Sequence, residues 1–345
     1  MTGDGLTVAI TGPTGDIGGA LARALEQVPE VAKVRGMARR PFDPYVAGLT
    51  KFEYVRGDIL DRALVEDFVK GADVVVHLAF LIFGSPDETR AVNLRGSRNV
   101  FETAFESGAS RLVYTSSVAA YGFHDDNPDL LTEDVDPRGT DEHYYSAQKA
   151  DLEKMVIELS RGADTDLYVF RPCIVAGPAA LELIRRIPYV QLSDRLPERA
   201  KKLIGTLPVL RPVIPDPGVP FQLVHEDDVA QALVAAILGR GSPGIYNLAA
   251  PGDVSLTDLA HALGWYSVPL PELVLLATVK VVSTLPLLPA SAQWLSALKV
   301  PVLMDCTKAR RELGWRPSHD ALETLAETIA SARDQGLLPW PDRVE

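Results

Sequence analysis

The tightest constraint on this chain is a glycine-spaced loop set between two kinds of periodicity. The run Thr11-Gly12-Pro13-Thr14-Gly15-Asp16-Ile17-Gly18 follows an apolar strand pattern at 6–10 and opens an amphipathic helix pattern at 17–27. Glycines at 12, 15 and 18 let the backbone turn sharply and approach a pyrophosphate without Cβ clashes. A helix starting there adds unbonded N–H groups and the positive end of its dipole. Glycine spacing by itself fits any strand–helix turn; the placement between strand and helix gives it force. Gly12, Thr14, Gly15, Asp16, Ile17 and Gly18 are therefore the expected phosphate loop of a dinucleotide.

The same alternation continues. Apolar runs at 34–37, 52–55, 74–78 and 112–115 alternate with helical patterns at 62–69, 88–106 and 144–160. Such nearly unbroken apolar strands are expected where helices cover both faces of a parallel sheet. The expected fold is an α/β, Rossmann-type doubly wound parallel sheet with a smaller, mostly helical C-terminal substrate domain. Prolines crowd 188–220, which reads as a loop-rich insertion. Residues 221–224 read as a return to the sheet, 227–238 as a helix, 245–248 as a strand, and the remainder to about 332 as mostly helix. The expected division is 1–178 as the dinucleotide-binding domain, with 221–249 returning to it. Residues 179–220 and 250–345 then form the substrate domain.

The second strand runs into Gly36-Met37-Ala38-Arg39-Arg40, with no carboxylate to bind an adenosine 2′-hydroxyl. A 2′-phosphate pairs well with guanidinium. The expected cofactor is NADP, with Arg39 first and Arg40 second in contact and NAD as the alternative. The plainer reading leaves both arginines solvated.

Tyr145 and Lys149 lie four apart in Tyr144-Tyr145-Ser146-Ala147-Gln148-Lys149, so a helix places them on one face. A nearby ammonium is expected to lower the pKa of the phenol, making it a usable proton donor or acceptor. Lys149 is also suited to hold nicotinamide ribose hydroxyls. Such a pair is common on surface helices. The fifth strand sharpens the reading, because it ends in Tyr114-Thr115-Ser116-Ser117-Val118-Ala119-Ala120-Tyr121-Gly122. Hydroxyls at the carboxyl end of a parallel strand sit where ligands bind in such sheets. Ser117 is placed to orient a reacting oxygen. Thr115 and Ser116 suit backbone satisfaction.

Together with six further segments, these residues resemble the extended short-chain dehydrogenase/reductase family, the NAD-dependent epimerase/dehydratase group, over nearly the whole chain. Gly57-Asp58-Ile59-Leu60-Asp61 is similar to its adenine-contact turn, which implies Asp58 and Ile59 beside the adenine. His77-Leu78-Ala79 resembles its fourth-strand segment, which implies Leu78 and Ala79 along the cofactor. Asn93-Leu94-Arg95-Gly96 resembles its Asn-x-x-Gly helix, and Asn93 is the candidate anchor for a relay water. Ser117, Tyr145 and Lys149 fall on its catalytic trio. Arg171-Pro172-Cys173-Ile174-Val175-Ala176-Gly177-Pro178 resembles its nicotinamide-flanking motif, which implies Pro172, Ile174 and Val175 at the cofactor. Val224-His225-Glu226-Asp227-Asp228-Val229-Ala230 and Leu313-Gly314-Trp315-Arg316-Pro317 resemble C-terminal signatures. Taken singly, Asp58 reads as a turn residue, His77 as a satisfied core histidine and Asn93 as a helix cap. The resemblance further implies a homodimer packed through the helices at 93–106 and 144–160.

Departures from the family narrow the chemistry. Ile174 stands where sugar-nucleotide enzymes commonly carry Asn, and Thr115-Ser116-Ser117 lacks the acids found in dehydratases. Expected substrate contacts are Phe80, Phe83, Ser117, Val118, Phe123 and Tyr145, with Leu81 and Ile82 nearby. That set suits a lipophilic carbonyl or alcohol. Arg185, Arg186, Arg195, Arg199 and Arg211 keep a sugar diphosphate in view. The leading expectation is hydride transfer between nicotinamide and a carbonyl or secondary alcohol, with Tyr145 moving the proton. The alternatives are a sugar-nucleotide epimerase and a non-catalytic NAD(P) sensor or scaffold.

Several classes are disfavoured. A formal net charge of -12 repels nucleic acid. Cys173 and Cys306 form no metal or disulfide signature, so no metal is expected and a reducing, cytoplasmic setting is. The N-terminus does not read as a signal peptide. The apolar stretch 270–303 is broken by Pro271, Glu272, Lys280, Pro286 and Pro289, so the reading is against membrane contact. The expected partners are a small-molecule substrate and a second copy of the chain.

Overall fold

The computed structural model describes residues 5–82, 84, 86–141, 143–185, 187–194, 211–270 and 300–338. Phe83, Arg186, Arg195 and Arg199 lie outside the described residues, as does 271–299 within the apolar stretch. No helix among the described residues is long and apolar enough to cross a membrane.

The strands are β1 (Leu6–Thr11), β2 (Val31–Ala38), β3 (Phe52–Arg56), β4 (Val74–His77), β5 (Arg111–Thr115), β6 (Asp166–Pro172), β7 (Ile174–Ala176), β8 (Val213–Asp216), β9 (Leu223–His225), β10 (Gly244–Leu248) and β11 (Tyr266–Pro269). Seven of them form one sheet in the order β3-β2-β1-β4-β5-β6-β10. Every pairing in it is parallel. The strand order reverses between β1 and β4. At such a switch point the crossovers diverge to opposite faces and leave a crevice at the carboxyl ends.

The main helices are α1 (Asp16–Glu26), α2 (Arg62–Val69), α3 (Pro86–Arg90), α4 (Ser97–Glu106), α5 (Tyr144–Leu159), α6 (Glu182–Arg185), α7 (Pro188–Asp194), α8 (Glu226–Ile237), α9 (Leu256–Ala262) and α10 (Ala321–Asp334). Val8, Ile10, Leu21, Leu25, Val229 and Leu233 pack one face of the sheet against α1 and α8. Ala9, Val75, Leu112, Val100, Phe101 and Leu152 pack the other against α4 and α5. Each such fully buried Val, Leu, Ile or Phe side chain contributes about 1.5–3 kcal/mol. A third core around Trp265, Leu259, Leu325 and Ile329 supports the smaller lobe. Met304, Cys306, Leu313 and Trp315 join the first core.

Two sequence expectations need correction. Residues 221–224 do not return to the main sheet. β9 instead pairs with β7 in a separate two-stranded sheet, and β10 is the strand that rejoins, beside β6. Because β10 fills the edge of β6 from Tyr168 to Pro172, Leu223 and Val224 find their partners on β7. The helix expected over 88–106 is interrupted by a π-helical turn at Ala91–Gly96. The C-terminal part also contains a strand, β11, paired with β8.

Gly36 in the middle of β2 shows how tightly the glycine loop is seated. A Cβ there would lie 2.2 Å from Phe52 Cζ and 2.9 Å from Pro13 Cγ. Gly36→Ala is therefore expected to destabilise the protein by about 1–3 kcal/mol, through overpacking. Urea unfolding checks this, and an unchanged midpoint would refute it.

Candidate active site

The glycine loop leaves no room for side chains where it turns. Gly12 has φ +79°, and a Cβ on it would sit 2.8 Å from the Ala79 amide nitrogen. A Cβ on Gly18 would lie 2.2 Å from the Gly12 carbonyl oxygen. At Gly15, by contrast, the nearest atom would be 3.6 Å away, an ordinary contact, so a Cβ would be tolerated there. Gly15 is the N-cap of α1 and makes no side-chain capping bond. The first-turn amides of Asp16, Ile17 and Gly18 thus lack a side-chain cap, and the dipole end faces the same way. A dinucleotide pyrophosphate fits this cradle.

His77, at the end of β4, is the hub behind the loop. Its Nδ1 lies 2.6 Å from Thr11 Oγ1 and its Nε2 2.8 Å from Ser97 Oγ. Burial, reinforced by the Lys149 ammonium, pushes its pKa down to about 3, so the ring is neutral. His77 is a satisfied core histidine, and it ties β1, β4 and α4 together. Thr11 Oγ1 also accepts from the Ala79 amide at 3.4 Å. Leu78 and Ala79 are thereby held against the glycine loop.

Asp58 accepts from the Leu60 amide at 3.0 Å, forming the turn after β3. Asn99 donates to the Ile59 carbonyl at 2.9 Å, and Ile59 fills the space a Cβ on Gly96 would need. Asn93 is fully buried on the π-helical turn. Its Oδ1 accepts from Leu81 N at 2.7 Å, and its Nδ2 donates to Leu81 O at 2.9 Å and Gln148 Oε1 at 2.8 Å. The side chain is thus a clamp between the segment after β4 and α5. Both of its amide hydrogens are engaged by protein groups.

The expected trio converges on the carboxyl ends of β4 and β5. Ser117 is buried, accepts from the Ala119 amide at 3.2 Å and is hydrogen-bonded to the Tyr145 phenol. Tyr145 is half-buried, with its ring edge-on to Phe80 at 5.3 Å between centroids. Lys149 is buried and donates to the Thr115 carbonyl at 2.9 Å. Its Nζ lies 4.1 Å from the Phe80 ring centre and 6.0 Å from that of Tyr145. Phe80 directly follows Ala79, so the trio and the glycine loop share one crevice. Burial raises the Tyr145 pKa, the Ser117 bond draws it back and Tyr144 raises it again. The phenol is thus pushed up here, against the sequence expectation of an ammonium-acidified tyrosine. Lys149 bears the opposite strain, since burial pushes it down to about 7.

The other expected contacts lie on several neighbouring elements. Pro172 ends β6 beside β5, whose continuation is fixed by the Ser116 amide bonded to the Phe170 carbonyl at 2.7 Å. Ile174 packs toward the third core and Val175 toward the first. Val118 opens the short 3₁₀ turn after Ser117. Phe123 lies 5.3 Å from the His143 ring, which is 6.3 Å from Tyr145. Arg40 donates to the Thr14 carbonyl at 3.0 Å, and Arg39 lies 3.9 Å from Glu88. Asp16 is raised by burial and by Glu182, with Arg185 and Arg40 opposing, so Arg185 shares the loop's neighbourhood. Arg211 instead donates to the Gly264 carbonyl at 3.0 Å, in the small lobe.

Sequence reasoning missed four contributors. His143 caps α5, accepting from Ser146 N at 3.3 Å. Tyr144 donates to the Ile82 carbonyl. Gln148 meets Asn93. Glu153, one turn beyond Lys149, is fully buried against Arg171 and Ser116. The spacing of 145, 149 and 153 is visible in the sequence, but burial of that carboxylate is not. A cluster outside the crevice brings ligand atoms of His225, His319 and Glu327 within 4.8 Å of one another. His225 Nδ1 accepts from the Asp227 amide at 3.1 Å. In the neutral ring Nε2 then carries the proton and has no lone pair for a metal.

This geometry agrees with what the chain is similar to. The model of the NAD dependent epimerase/dehydratase family matches residues 8–249. The chain belongs to that family. The family's enzymes are of the extended short-chain dehydrogenase/reductase type. An uncharacterized Mycobacterium bovis protein is 28% identical over 344 residues, 97% of this chain but 32% of its own length. The chain thus spans about a third of the first curated relatives it matches. Sterol demethylase protein B of Methylococcus capsulatus is 29% identical over 176 residues, 50% of this chain and 52% of that protein. Among solved structures, gox2253 superposes with a TM-score of 0.71 at 25% identity, covering 96% of this chain and 99% of that one. WbmH of Bordetella bronchiseptica in complex with NAD+ gives 0.69 at 22% identity over the same shares, which establishes a common fold.

The neutral, buried His77 links stability to pH. Its folded pKa of about 3 lies below the ordinary 6.5, so the unfolded chain binds the extra proton between those values. Stability supported by His77 is therefore complete above about pH 6.5 and declines as pH falls toward 3. A His77→Asn variant, neutral throughout, should show a flatter fall of thermal midpoint between pH 7 and pH 4. An unchanged slope would contradict the assignment.

Proposed function

We propose that this chain is an NAD(P)-linked oxidoreductase that interconverts a carbonyl and a secondary alcohol on an apolar small molecule. The observation that carries the reading is the convergence of Ser117, Tyr145 and Lys149 on the crevice that also holds the glycine loop. The nicotinamide supplies the carbon that gives or takes hydride. Ser117 holds the substrate oxygen, and the Tyr145 hydroxyl gives it a proton in reduction or removes one in oxidation. Lys149, facing the Tyr145 ring from a buried position, favours the phenolate when it forms. Gly12, Gly15 and the first turn of α1 hold the pyrophosphate, with Asp58 and Ile59 toward the adenine.

Phe80, Leu81, Val118 and Phe123 give the substrate side an apolar character, which supports a lipophilic substrate. The likeness to a protein named for sterol demethylation points in the same direction. The absence of a carboxylate after β2, with Arg39 and Arg40 in its place, supports NADP over NAD. Second-copy association and a cytoplasmic setting belong to the same proposal.

Two measurements test it. Tyr145→Phe should lower kcat by about 10²–10⁴-fold while leaving cofactor affinity near that of the parent. Turnover of a lipophilic ketone and alcohol panel, followed at the absorbance of reduced nicotinamide, reads this out. Turnover of a UDP-sugar without added cofactor would favour the epimerase instead. Arg39→Ala should weaken NADPH binding roughly tenfold or more with little change for NADH. Equal affinity of the parent for both cofactors would overturn the NADP assignment.

A further inference from the structure

Tyr145, Lys149 and Glu153 occupy successive turns of one face of α5, and the third is a carboxylate with no access to water. A buried carboxylate is costly unless it is paired and hydrogen-bonded. Glu153 is both. Arg171 Nε donates to its two oxygens at 2.9 and 3.1 Å, and Arg171 Nη2 donates as well. Ser116 Oγ donates to Glu153 Oε2 at 2.8 Å. Arg171 is held in turn by the Val135 carbonyl at 3.2 Å and by the Tyr121 ring, 4.3 Å from its guanidinium carbon. Neither partner can leave without stranding a charge.

Lys149 is the other buried charge of this face. The groups around it are the Thr115 carbonyl from β5, the Phe80 ring after β4, the Tyr114 and Tyr145 rings, neutral His77, and Glu153 below. Aromatic faces and one carbonyl stabilise an ammonium only modestly. Glu153 supplies the full negative charge acting on it, and this attraction opposes the burial that drives Lys149 toward its neutral form.

We infer that Glu153, clamped by Arg171 and Ser116, is a positioning residue that keeps Lys149 an ammonium beneath Tyr145. The inference rests on the oxidoreductase reading for its purpose, but its physical content concerns Lys149 alone. The Glu153–Arg171 pair anchors α5 to β6, and the carboxylate lies one turn from Lys149 on the same helix face, the two side chains bonding the adjacent residues Ser116 and Thr115. Without that carboxylate Lys149 would be an ammonium over a narrower pH range and would favour phenolate on Tyr145 less.

The test is the titration of the Lys149 side chain in the full-length protein labelled with ¹⁵N-lysine, its Nζ resonance assigned with Lys149→Arg. In Glu153→Gln the midpoint should fall by about one pH unit or more, a tenfold loss of proton affinity. Glu153→Asp should restore most of that loss. If Glu153→Gln does not fold with its guanidinium left unpaired, Glu153→Gln/Arg171→Met removes both charges. Its midpoint should fall in the same direction by less. A folded variant lacking the carboxylate whose Lys149 midpoint matches the parent overturns the inference. In a folded, active variant the alkaline limb of kcat/KM should move with the Nζ midpoint, whereas a merely structural role would lower activity at every pH without moving either. A shifted midpoint in a protein with no nicotinamide-linked turnover would sink the oxidoreductase reading and leave the hold on Lys149 standing.

Discussion

The site depends on how closely β1 and β4 approach at the point where strand order reverses. Gly12 lies so near the Ala79 backbone that a Cβ would be 2.8–2.9 Å from its nitrogen and α-carbon. That approach is fixed from behind by the Thr11–His77–Ser97 chain of hydrogen bonds. It places the glycine loop and the segment carrying Phe80 along the same crevice. Phe80 then touches both Tyr145 and Lys149. A larger residue at position 12 would move every one of these groups relative to the others.

Buried polar groups, more than apolar packing, determine how α5 faces that crevice. Several polar ties hold it. Gln148 meets Asn93, Ser146 Oγ donates to the Ala119 carbonyl at 2.6 Å, and Glu153 meets Arg171 and Ser116. These ties reach the π-helical turn, the segment after β5 and β6, so the helix has little freedom to slide or rotate. A buried ion pair is weak evidence for stability, since apolar replacements can do as well. Its value here is register, because it lets only one turn of α5 sit below Tyr145.

The electrostatics of the crevice are divided. Burial makes the phenol harder to ionise and the ammonium harder to keep, so the two expected partners are displaced in opposite directions. Both pKa values are thereby drawn away from those of the free side chains, as is common where proton transfer is required. Cys173 and Cys306 show the inert version of the same effect. Both thiols are buried, and burial pushes them up, to about 12 for Cys306.

Much of this was legible in the sequence, because local rules produced it. Period-two and period-3.6 patterns located the parallel strands and their covering helices. Glycines marked the loop, and the spacing of 145 and 149 put both on one face. Where the sequence failed, distant partners had decided the outcome. The apolar run at 221–224 is a strand either way, and only the prior occupation of the β6 edge by β10 sends it to β7. Asn93 looks like a cap until the π-helical turn aims it at Leu81 and Gln148. Glu153 looks like a surface helix acid until Arg171, 18 residues along the chain, meets it inside the protein. Sequence by itself determined most element types, the turn of the glycine loop and the shared face of Tyr145 and Lys149, since each follows from neighbours a few positions apart. Tertiary structure decided the pairing of the short strands, the burial of charge and the direction in which Tyr145 and Lys149 are shifted, because desolvation and Coulomb fields depend on what the whole fold brings within a few ångströms.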